Sequence, residues 1–442
     1  MVRHIVTQTG QNIEVESLQN RQTNLELSQL RKDCQRQWSG LPHLLAAMLC
    51  LVTANAQEAL RASLAGVQSA EARKHAGSSI GYYNLKLGPI GLRASTALSA
   101  EYTDNVNLGG LNTGGDVILR PSLNSRLVWP VTDKNVLNLN LGAGYSYYVD
   151  HSRYNRLFLS PDTELAFDVY LGDFLIDLHD RVSITENAYQ DPTLSGNGDY
   201  AQFQNDAGVS GLWDLNKVVL NFGYDHVDYA SLSSSSSQRD GSSELAFTSF
   251  GVRLRPDMML GLVLGGGLIS YGSGFANDAR QWSAGGFYSL QFSEYLNGRV
   301  DLGYTTYSPD TGGGLPDSSG IYAQVSLNHR LNRFVSYSLS GGQTVSLSFF
   351  GGSYEIDSVN LQFNWNVLRK ISVGTTFLFE HGSQLYATQE VFNRVGGGIN
   401  IGRAITRKLS AGLGYQYLLR SSNQPNADYT VNTVSLNLGY QF

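Results

Sequence analysis

The sequence is poor in cysteine and in charge. Its two cysteines, Cys34 and Cys50, both precede Ala56, where a leader segment is expected to end, so the mature chain would hold neither a disulfide nor a thiolate metal site. Charged residues make up 15% of the 442 positions. Without residues 1–56 the chain has 26 basic and 33 acidic residues, a formal charge of −7. This charge gives no electrostatic basis for binding nucleic acid.

Long apolar runs are also missing, with one exception near the N terminus. Residues 41–54 are mostly apolar, but the run is too short to cross a membrane as a helix. A basic flank precedes it, and an Ala-Asn-Ala motif that ends at Ala56 follows it. This order predicts a secretory signal peptide cleaved after Ala56, with a buried core helix as the alternative. Residues 1–30 form a polar prelude that a start site assigned too far upstream would explain.

The sequence also lacks the spacings of a metal or catalytic site. The six histidines after Ala56 are scattered, and none forms an H-x-x-x-H pair. Asp225 precedes His226, and Asp180 follows His179, but such short-range pairs arise easily by chance and do not indicate an enzyme. Two glycine triplets lie inside predicted strands with no helix after them, so they are not phosphate-binding loops. We therefore predict no catalytic residue, no metal and no cofactor.

The chain is rich in glycine and aromatic residues, and its last nine residues have a distinctive pattern. Val434, Leu436, Leu438, Tyr440 and Phe442 alternate with small or polar residues, which gives a strand one apolar face and one polar face. The chain ends on an aromatic residue. This stretch resembles the final strand of bacterial outer-membrane β-barrels, and the resemblance implies that Tyr440 and Phe442 form the signal read by the barrel assembly machinery.

The same alternation recurs from Ile90 onward. Apolar residues occupy every second position in segments such as 92–102, 137–147 and 361–367, and no long segment has a helical period. Because few charges, many aromatics and much glycine occur without long apolar runs, the composition suits strands that face lipid on one side and water on the other.

The connections between these segments alternate in length. Eight are short and polar, about 37–43 residues apart, and longer Gly-, Ser-, Asn- and Asp-rich stretches lie between them. Eight short turns and nine longer loops join eighteen strands, which is typical of an antiparallel up-and-down transmembrane β-barrel with periplasmic turns and outer loops. Sixteen strands is the alternative count. The predicted segments are residues 1–56 (extension and signal peptide), 57–89 (linker) and 90–442 (barrel).

The polar face of these strands would then line the lumen. It is rich in amides, which donate and accept hydrogen bonds and so suit hydroxyl-rich solutes such as sugars, although any water-filled lumen needs polar residues. The predicted lumen-lining residues are Asn138, Asn140, Arg253, Arg255, Gln324, Asn328, Arg330, Asn360, Gln362, Asn364 and Asn366.

The start of the predicted barrel resembles a known family. A Gly88-Pro89 lead-in precedes a first strand that ends in a Tyr-x-Asp-Asn motif, made of Tyr102, Asp104 and Asn105. This is similar to the opening of the putative beta-barrel porin 2 family, and the likeness extends to Phe442. The resemblance implies an outer-membrane barrel, and some members of the family accompany polysaccharide-export machinery.

Three functions follow as hypotheses. The first is a porin-like outer-membrane channel for hydrophilic solutes, with export of an exopolysaccharide as one form of it. The second is a closed barrel that acts as a structural or adhesive surface protein, and a barrel enzyme is the third. The expected partners are outer-membrane lipid, the barrel assembly machinery and polysaccharide-export proteins, without nucleic acid. The expected location is the outer membrane of a Gram-negative bacterium. The sequence leaves open the solute, its direction, the oligomeric state and whether residues 57–89 enter the lumen.

Overall fold

The structure is a computed structural model that describes part of the chain. The described residues are 83–110, 113–186, 189, 191–233, 240–271, 278–310, 317–347, 353–368, 370–384 and 390–442. They all belong to one compact unit, residues 53–442. The predicted signal peptide, the polar prelude and most of the predicted linker lie outside the described residues.

The described residues form twenty strand segments and one short 3-10 helix at Ser152–Tyr154. The segments are β1 (Leu85–Leu87), β2 (Ile90–Thr103), β3 (Asp116–Thr132), β4 (Asn135–Tyr148), β5 (Arg156–Leu159), β6 (Glu164–Leu171), β7 (Phe174–Thr185), β8 (Gln202–Asp214), β9 (Val218–Ser231), β10 (Gly241–Arg255), β11 (Met258–Tyr271), β12 (Ala279–Ser293), β13 (Leu296–Pro309), β14 (Ser318–His329), β15 (Val335–Leu347), β16 (Ser353–Leu368), β17 (Ile371–Gln384), β18 (Val391–Ala404), β19 (Leu409–Ser422) and β20 (Tyr429–Gln441). No helix among the described residues is long and apolar enough to cross a membrane.

These segments close into a barrel of eighteen antiparallel strands. Each strand pairs with its neighbours in sequence, and the first long strand, β2, pairs with the last, β20, from Ser95↔Gln441 to Thr103↔Thr433. β5 and β6 both pair with β4 and together make one interrupted strand. β1 is a three-residue hairpin arm on β2, inside the segment predicted as linker. Closure leaves no unpaired edge, as a sheet in lipid requires.

The alternation of side chains gives the wall two faces. On β11, Leu260, Leu262 and Leu264 are exposed on the outside, whereas Val263 between them is buried. Large apolar side chains are exposed in the same way on the other strands, and Trp129 and Trp213 lie near strand ends. An outward apolar band flanked by aromatic residues is the surface that fits a lipid bilayer. The polar and small residues therefore face inward.

The short turns lie where the sequence predicts them. Gly172, in the turn between β6 and β7, has a φ of 65°, and Asn216, between β8 and β9, has a φ of 72°. Glycine and asparagine tolerate this left-handed region far better than β-branched residues do. These local turns fix the pairing register, so that the polar set of each strand faces the interior.

Candidate functional site: the lumen and its constriction

The inner wall contains the predicted lumen residues in continuous rows. Gln362 of β16 is opposite Thr376 of β17, which is opposite Gly398 of β18, and Gln416 of β19 continues the row. Partners in antiparallel strands share a face, so one inward residue places the whole row. By the same argument Asn138, Asn140, Gln324, Asn328, Asn360, Asn364 and Asn366 all lie on the inner face.

The three arginines predicted to line the lumen lie at the short-turn end. Arg253 binds Asp214 at 2.6 Å and also the carbonyl of Asn216. The exposed Arg255 pairs with Asp257 at 3.2 Å in the same turn. β14 ends at His329, so Arg330 belongs to the turn, where its guanidinium lies 5.2 Å from the ring centre of Tyr295. These arginines therefore hold turns at the rim instead of lining the middle of the lumen.

An uncharged amide surface covers the wall of β16–β20. A cavity of about 330 Å³ here is lined by the amides Gln362, Asn364, Asn366, Asn400 and Asn437, and by other residues that include Trp365, Val373, Ile401 and Leu413. A larger adjoining cavity of about 770 Å³ extends to the short-turn end, where Arg333, Lys370 and Arg403 line it. We call Gln362, Asn364, Asn366, Asn400 and Asn437 the amide track. It can offer hydrogen bonds to hydroxyl groups without the strong field of an ionised group.

One of the longer outer loops predicted from the sequence, the connection between β7 and β8, reaches into the outer half of the lumen. Between β7 and β8 the structure describes Glu186, Tyr189 and residues 191–201, and we call these residues the crossing segment. The carbonyl of Tyr189 accepts a hydrogen bond of 2.5 Å from Arg394 Nη2 on β18. β18 is seven strands from β7 around the barrel, counted through β6, β4, β3, β2, β20 and β19. The segment therefore reaches β18 across the interior.

Apolar contacts hold the crossing segment against the far wall. Leu194 is fully buried and packs with Leu108 of the loop between β2 and β3, and with Leu418 and Val431 of the wall. Tyr200 and Tyr429 complete this cluster. The amide of Gly196 also donates to the carbonyl of Leu108 at 2.8 Å. Burial of Leu194 contributes about 2 kcal/mol on the scale for large aliphatic side chains.

Buried ion pairs surround this apolar contact. Arg420 Nη2 binds Glu390 Oε1 at 2.9 Å, and Arg394 Nη1 lies 2.9 Å from Glu380 Oε2. Burial would raise the pKa of Glu390, but hydrogen bonds from Ser422 and the nearby Arg420 lower it below its ordinary value. Glu390 therefore remains a carboxylate and keeps the guanidinium of Arg420 paired.

The base of the crossing segment is fixed to β3 and β4. Arg120 Nη1 binds Glu101 Oε2 at 2.6 Å, and Arg120 Nε binds Glu186 Oε1 at 3.2 Å. Ser146 also donates to Glu186. Burial, together with the charge of Glu101, raises the pKa of the Tyr189 phenol, so this hydroxyl stays neutral. The constriction is thus bordered by paired charges instead of free ones.

The Tyr-x-Asp-Asn motif closes the barrel at its outer end. Tyr102 is exposed on the outer face. Asp104 accepts hydrogen bonds from the amide and the side chain of Asn432 at 2.8 and 2.7 Å. Asn105 is buried and donates to the carbonyls of Gly109 and Thr430. Both side chains thus extend the β2–β20 seam beyond its last paired residues. The terminal residues Tyr440 and Phe442 lie on the outer face of the same seam, with ring centres 5.5 Å apart.

We expect Asn105→Ala to destabilise the barrel by about 2–3 kcal/mol, because it removes the hydrogen bonds that Asn105 donates to the carbonyls of Gly109 and Thr430. The measurement is the free energy of unfolding in urea of the protein refolded into phospholipid vesicles. Asn437→Ala is the matched control, because Asn437 is an exposed amide on the same seam and its loss should cost less than about 0.5 kcal/mol. Equal losses for the two variants would contradict the role assigned to Asn105.

A family comparison decides the class of this barrel. The family model described as "Putative beta-barrel porin 2" matches residues 84–442. The chain belongs to this family. The predicted family and the predicted eighteen-stranded barrel are therefore confirmed, and the protein is a porin-like β-barrel of the outer membrane.

Several solved porins are similar to this chain at low identity. OccK3 (OpdO) of Pseudomonas aeruginosa is 14% identical with a TM-score of 0.44, and the match covers 79% of this chain and 95% of that one. OpdL of the same organism is 12% identical with a TM-score of 0.47, covering 80% and 100%. OccK2 (OpdF), solved in complex with glucuronate, is 12% identical with a TM-score of 0.46, covering 79% and 98%. No curated protein matches this chain.

Proposed function

We propose that this barrel passes hydroxyl-rich solutes across the outer membrane and serves as the outer pore for an exported polysaccharide. The amide track carries the proposal, because it offers five amide groups around one cavity of about 330 Å³. Sugars present several hydroxyls per ring, each of which donates and accepts, and amides satisfy both roles.

The rim favours entry from the periplasmic side. Arg333 and Lys370 line the wider cavity at the short-turn end, which is periplasmic in barrels of this type. Cations at a mouth raise the local concentration of anionic solutes and accelerate their entry. A glycan with acidic groups would thus be gathered at the rim and would then move along uncharged amides.

The crossing segment supports a second function. Because it contacts the far wall through both Leu194 and Tyr189, a barrel with this segment held in place would conduct poorly. Such a barrel fits the structural or adhesive surface protein, with its outer loops as the contact surface. The two functions differ in whether the lumen conducts ions.

Single-channel conductance in a planar bilayer tests the first function. We expect a steady conductance that is blocked transiently by a soluble acidic glycan added on the periplasmic side. We expect the block rate to fall severalfold when salt rises from about 0.1 M to 1 M, because salt screens the rim charges. Absence of conductance from a folded barrel would overturn the channel and favour the adhesive protein.

Substitution of the amide track tests whether this surface holds the glycan. In Gln362→Leu/Asn364→Leu the residence time of a neutral glucan should fall about fivefold, as loss of roughly 1 kcal/mol of hydrogen bonding implies. Asn328→Leu is the matched control, since Asn328 is an inward amide outside the cavity, bonded to Asn297 at 3.3 Å. Equal residence times in all three proteins would contradict the assignment of the track.

Delivery and assembly belong to the same proposal. We propose that a signal peptide ending near Ala56 directs the chain to the periplasm and that Tyr440 and Phe442 present the assembly signal. Polysaccharide-export proteins of the periplasm are the proposed partners at the short-turn end. We propose a channel without catalytic activity.

A further inference from the structure

Three residues from three adjacent strands form one row on the inner wall, on the side away from the amide track. His179 of β7 is opposite Gly208 of β8, and Gly208 is opposite Asp225 of β9. Asp206 lies two residues from Gly208 and so shares its face. We call His179, Gly208 and Asp225 the His-Gly-Asp row. One ligand atom each from His179, Asp206 and Asp225 lies within 4.8 Å of the others, and all three side chains are buried.

Asp177 orients the imidazole for a ligand. Its Oδ2 lies 2.9 Å from His179 Nδ1, and Nε2 of the same ring lies 2.9 Å from Asp225 Oδ1. In this arrangement both ring nitrogens donate to carboxylates. When a cation takes the place of the Nε2 proton, Asp177 still accepts from Nδ1 and holds the ring with the Nε2 lone pair toward the ion. Metal-binding histidines are held in this way by a second carboxylate.

Two carboxylate oxygens at the centre are unused. Among the described residues, Asp206 Oδ1 and Asp225 Oδ2 are buried without a hydrogen-bond partner. Asp206 is 4% exposed and Asp225 is 1% exposed. The other oxygen of each carboxylate is bound, Asp206 Oδ2 by Arg181 and Asp225 Oδ1 by His179. A buried oxygen without a partner is nevertheless unfavourable, so these two atoms point to a ligand that supplies positive charge.

Glycine keeps the centre of the row open. A Cβ atom at Gly208 would overlap Asp225 Oδ1 and would lie 2.8 Å from His179 Nε2. The charge of the group also fits. With a neutral imidazole, the carboxylates Asp177, Asp206 and Asp225, and Glu164, which Arg181 binds at 3.0 Å, outweigh the single guanidinium of Arg181. The group is therefore net negative, which favours a cation.

We propose that His179, Asp206 and Asp225 bind a divalent cation of the zinc class that links β7, β8 and β9. One imidazole nitrogen with carboxylate oxygens suits Zn²⁺, whereas Ca²⁺ and Mg²⁺ prefer oxygen ligands alone. A tetrahedral ion with bonds of about 2.1 Å holds its ligand atoms roughly 3.4 Å apart. The ligand atoms of His179, Asp206 and Asp225 lie within 4.8 Å of one another, and rotation of the two aspartate side chains brings them to the spacing that the ion requires. This cation site does not depend on which solute the barrel transports.

Metal analysis of the refolded full barrel tests the site. The protein is stripped with EDTA, incubated with Zn²⁺ or Ca²⁺, and freed of unbound ions by gel filtration. We expect about one Zn²⁺ per chain and no retained Ca²⁺. The double variant Asp206→Asn/Asp225→Asn should retain less than about a tenth of that Zn²⁺. Gly208→Ala should also lose the Zn²⁺, although all three ligand residues are still present, because its Cβ atom would occupy the centre of the row. Asp301→Asn is the control, because Asp301 is an inward carboxylate already bound by Arg299.

Two further readouts keep the outcome clear. Heat-modifiable mobility on SDS gels selects folded barrels, so that a variant that fails to fold is not counted as one that fails to bind. X-ray absorption at the zinc edge should show one imidazole in the ion's shell for wild type and none for His179→Gln. Wild type that retains no Zn²⁺ would overturn the site and leave an imidazolium between Asp177 and Asp225. Equal retention by wild type and the double aspartate variant would overturn it as well.

Discussion

Replacing residues 187–200 with an Asn-Gly turn is expected to raise the single-channel conductance about two- to fivefold, because pore width at the constriction limits ion flow. Thr185 pairs with Gln202, so Glu186 and Ala201 can be joined by a two-residue hairpin turn that suits antiparallel strands. The variant keeps Glu186 and its contact with Arg120. The measurement is conductance in a planar bilayer at 1 M salt.

Leu194→Ala is the milder form of the same test. It removes the most buried apolar contact of the crossing segment without shortening the chain, and we expect more frequent opening events. Leu232→Ala is the matched control, since Leu232 lies in the loop between β9 and β10 and is 52% exposed. Unchanged conductance in both the shortened variant and Leu194→Ala would show that the crossing segment does not limit the pore.

Arg420→Met is expected to lower the free energy of unfolding by about 3–5 kcal/mol, because it leaves the buried carboxylate of Glu390 without its cation. Arg420 is fully buried, donates to the carbonyl of Ala427 at 2.8 Å and lies 4.3 Å from the ring centre of Phe392. Methionine preserves much of the volume, so the loss reports the charge and its hydrogen bonds.

Arg299→Met provides the control for that substitution. Arg299 also pairs with a carboxylate, Asp301, and also lies over a ring, that of Phe287. Its side chain is 31% exposed, so solvent screens the pair and the expected loss is about 1 kcal/mol or less. Similar losses for Arg420→Met and Arg299→Met would contradict the buried ion pair as a source of stability.

The Arg420–Glu390 pair should also make stability depend on pH. Because the folded pKa of Glu390 is lowered, its contribution is complete above the unfolded value, about 4.3. The contribution is lost as pH falls through the lowered folded pKa. Urea unfolding of wild type and Glu390→Gln between pH 3 and 7 checks this. The two curves should converge at the acid end, and parallel curves would contradict the linkage.

The alternation of residues determined most of the fold. Leu260, Leu262 and Leu264 on one face of a strand, with glycine and valine on the other, define an apolar face and a face of smaller residues. The regular alternation of short turns and long loops then favoured a barrel, with lipid against the apolar face and a lumen inside. The short turns followed from local chemistry, as at Gly172 and Asn216, where a left-handed backbone is needed. Because antiparallel neighbours are joined by local hairpins, counting turns was enough to give eighteen strands. The inward position of Asn360, Gln362 and Asn364 followed from the same period.

Tertiary structure alone decided what narrows the lumen. The polar, glycine-containing composition of residues 186–201 fits any outer loop. The residues that hold this segment in place are far apart in the sequence: Tyr189 and Arg394 are about 205 positions apart, and Leu194 and Leu418, which share one apolar cluster, are about 224 apart. The His-Gly-Asp row was hidden for the same reason. His179 and Asp225 are 46 positions apart, and only the register of β7, β8 and β9 brings them to one point. Period-two alternation fixes which face a side chain occupies, but contacts across the lumen depend on where loops fold and how strands align.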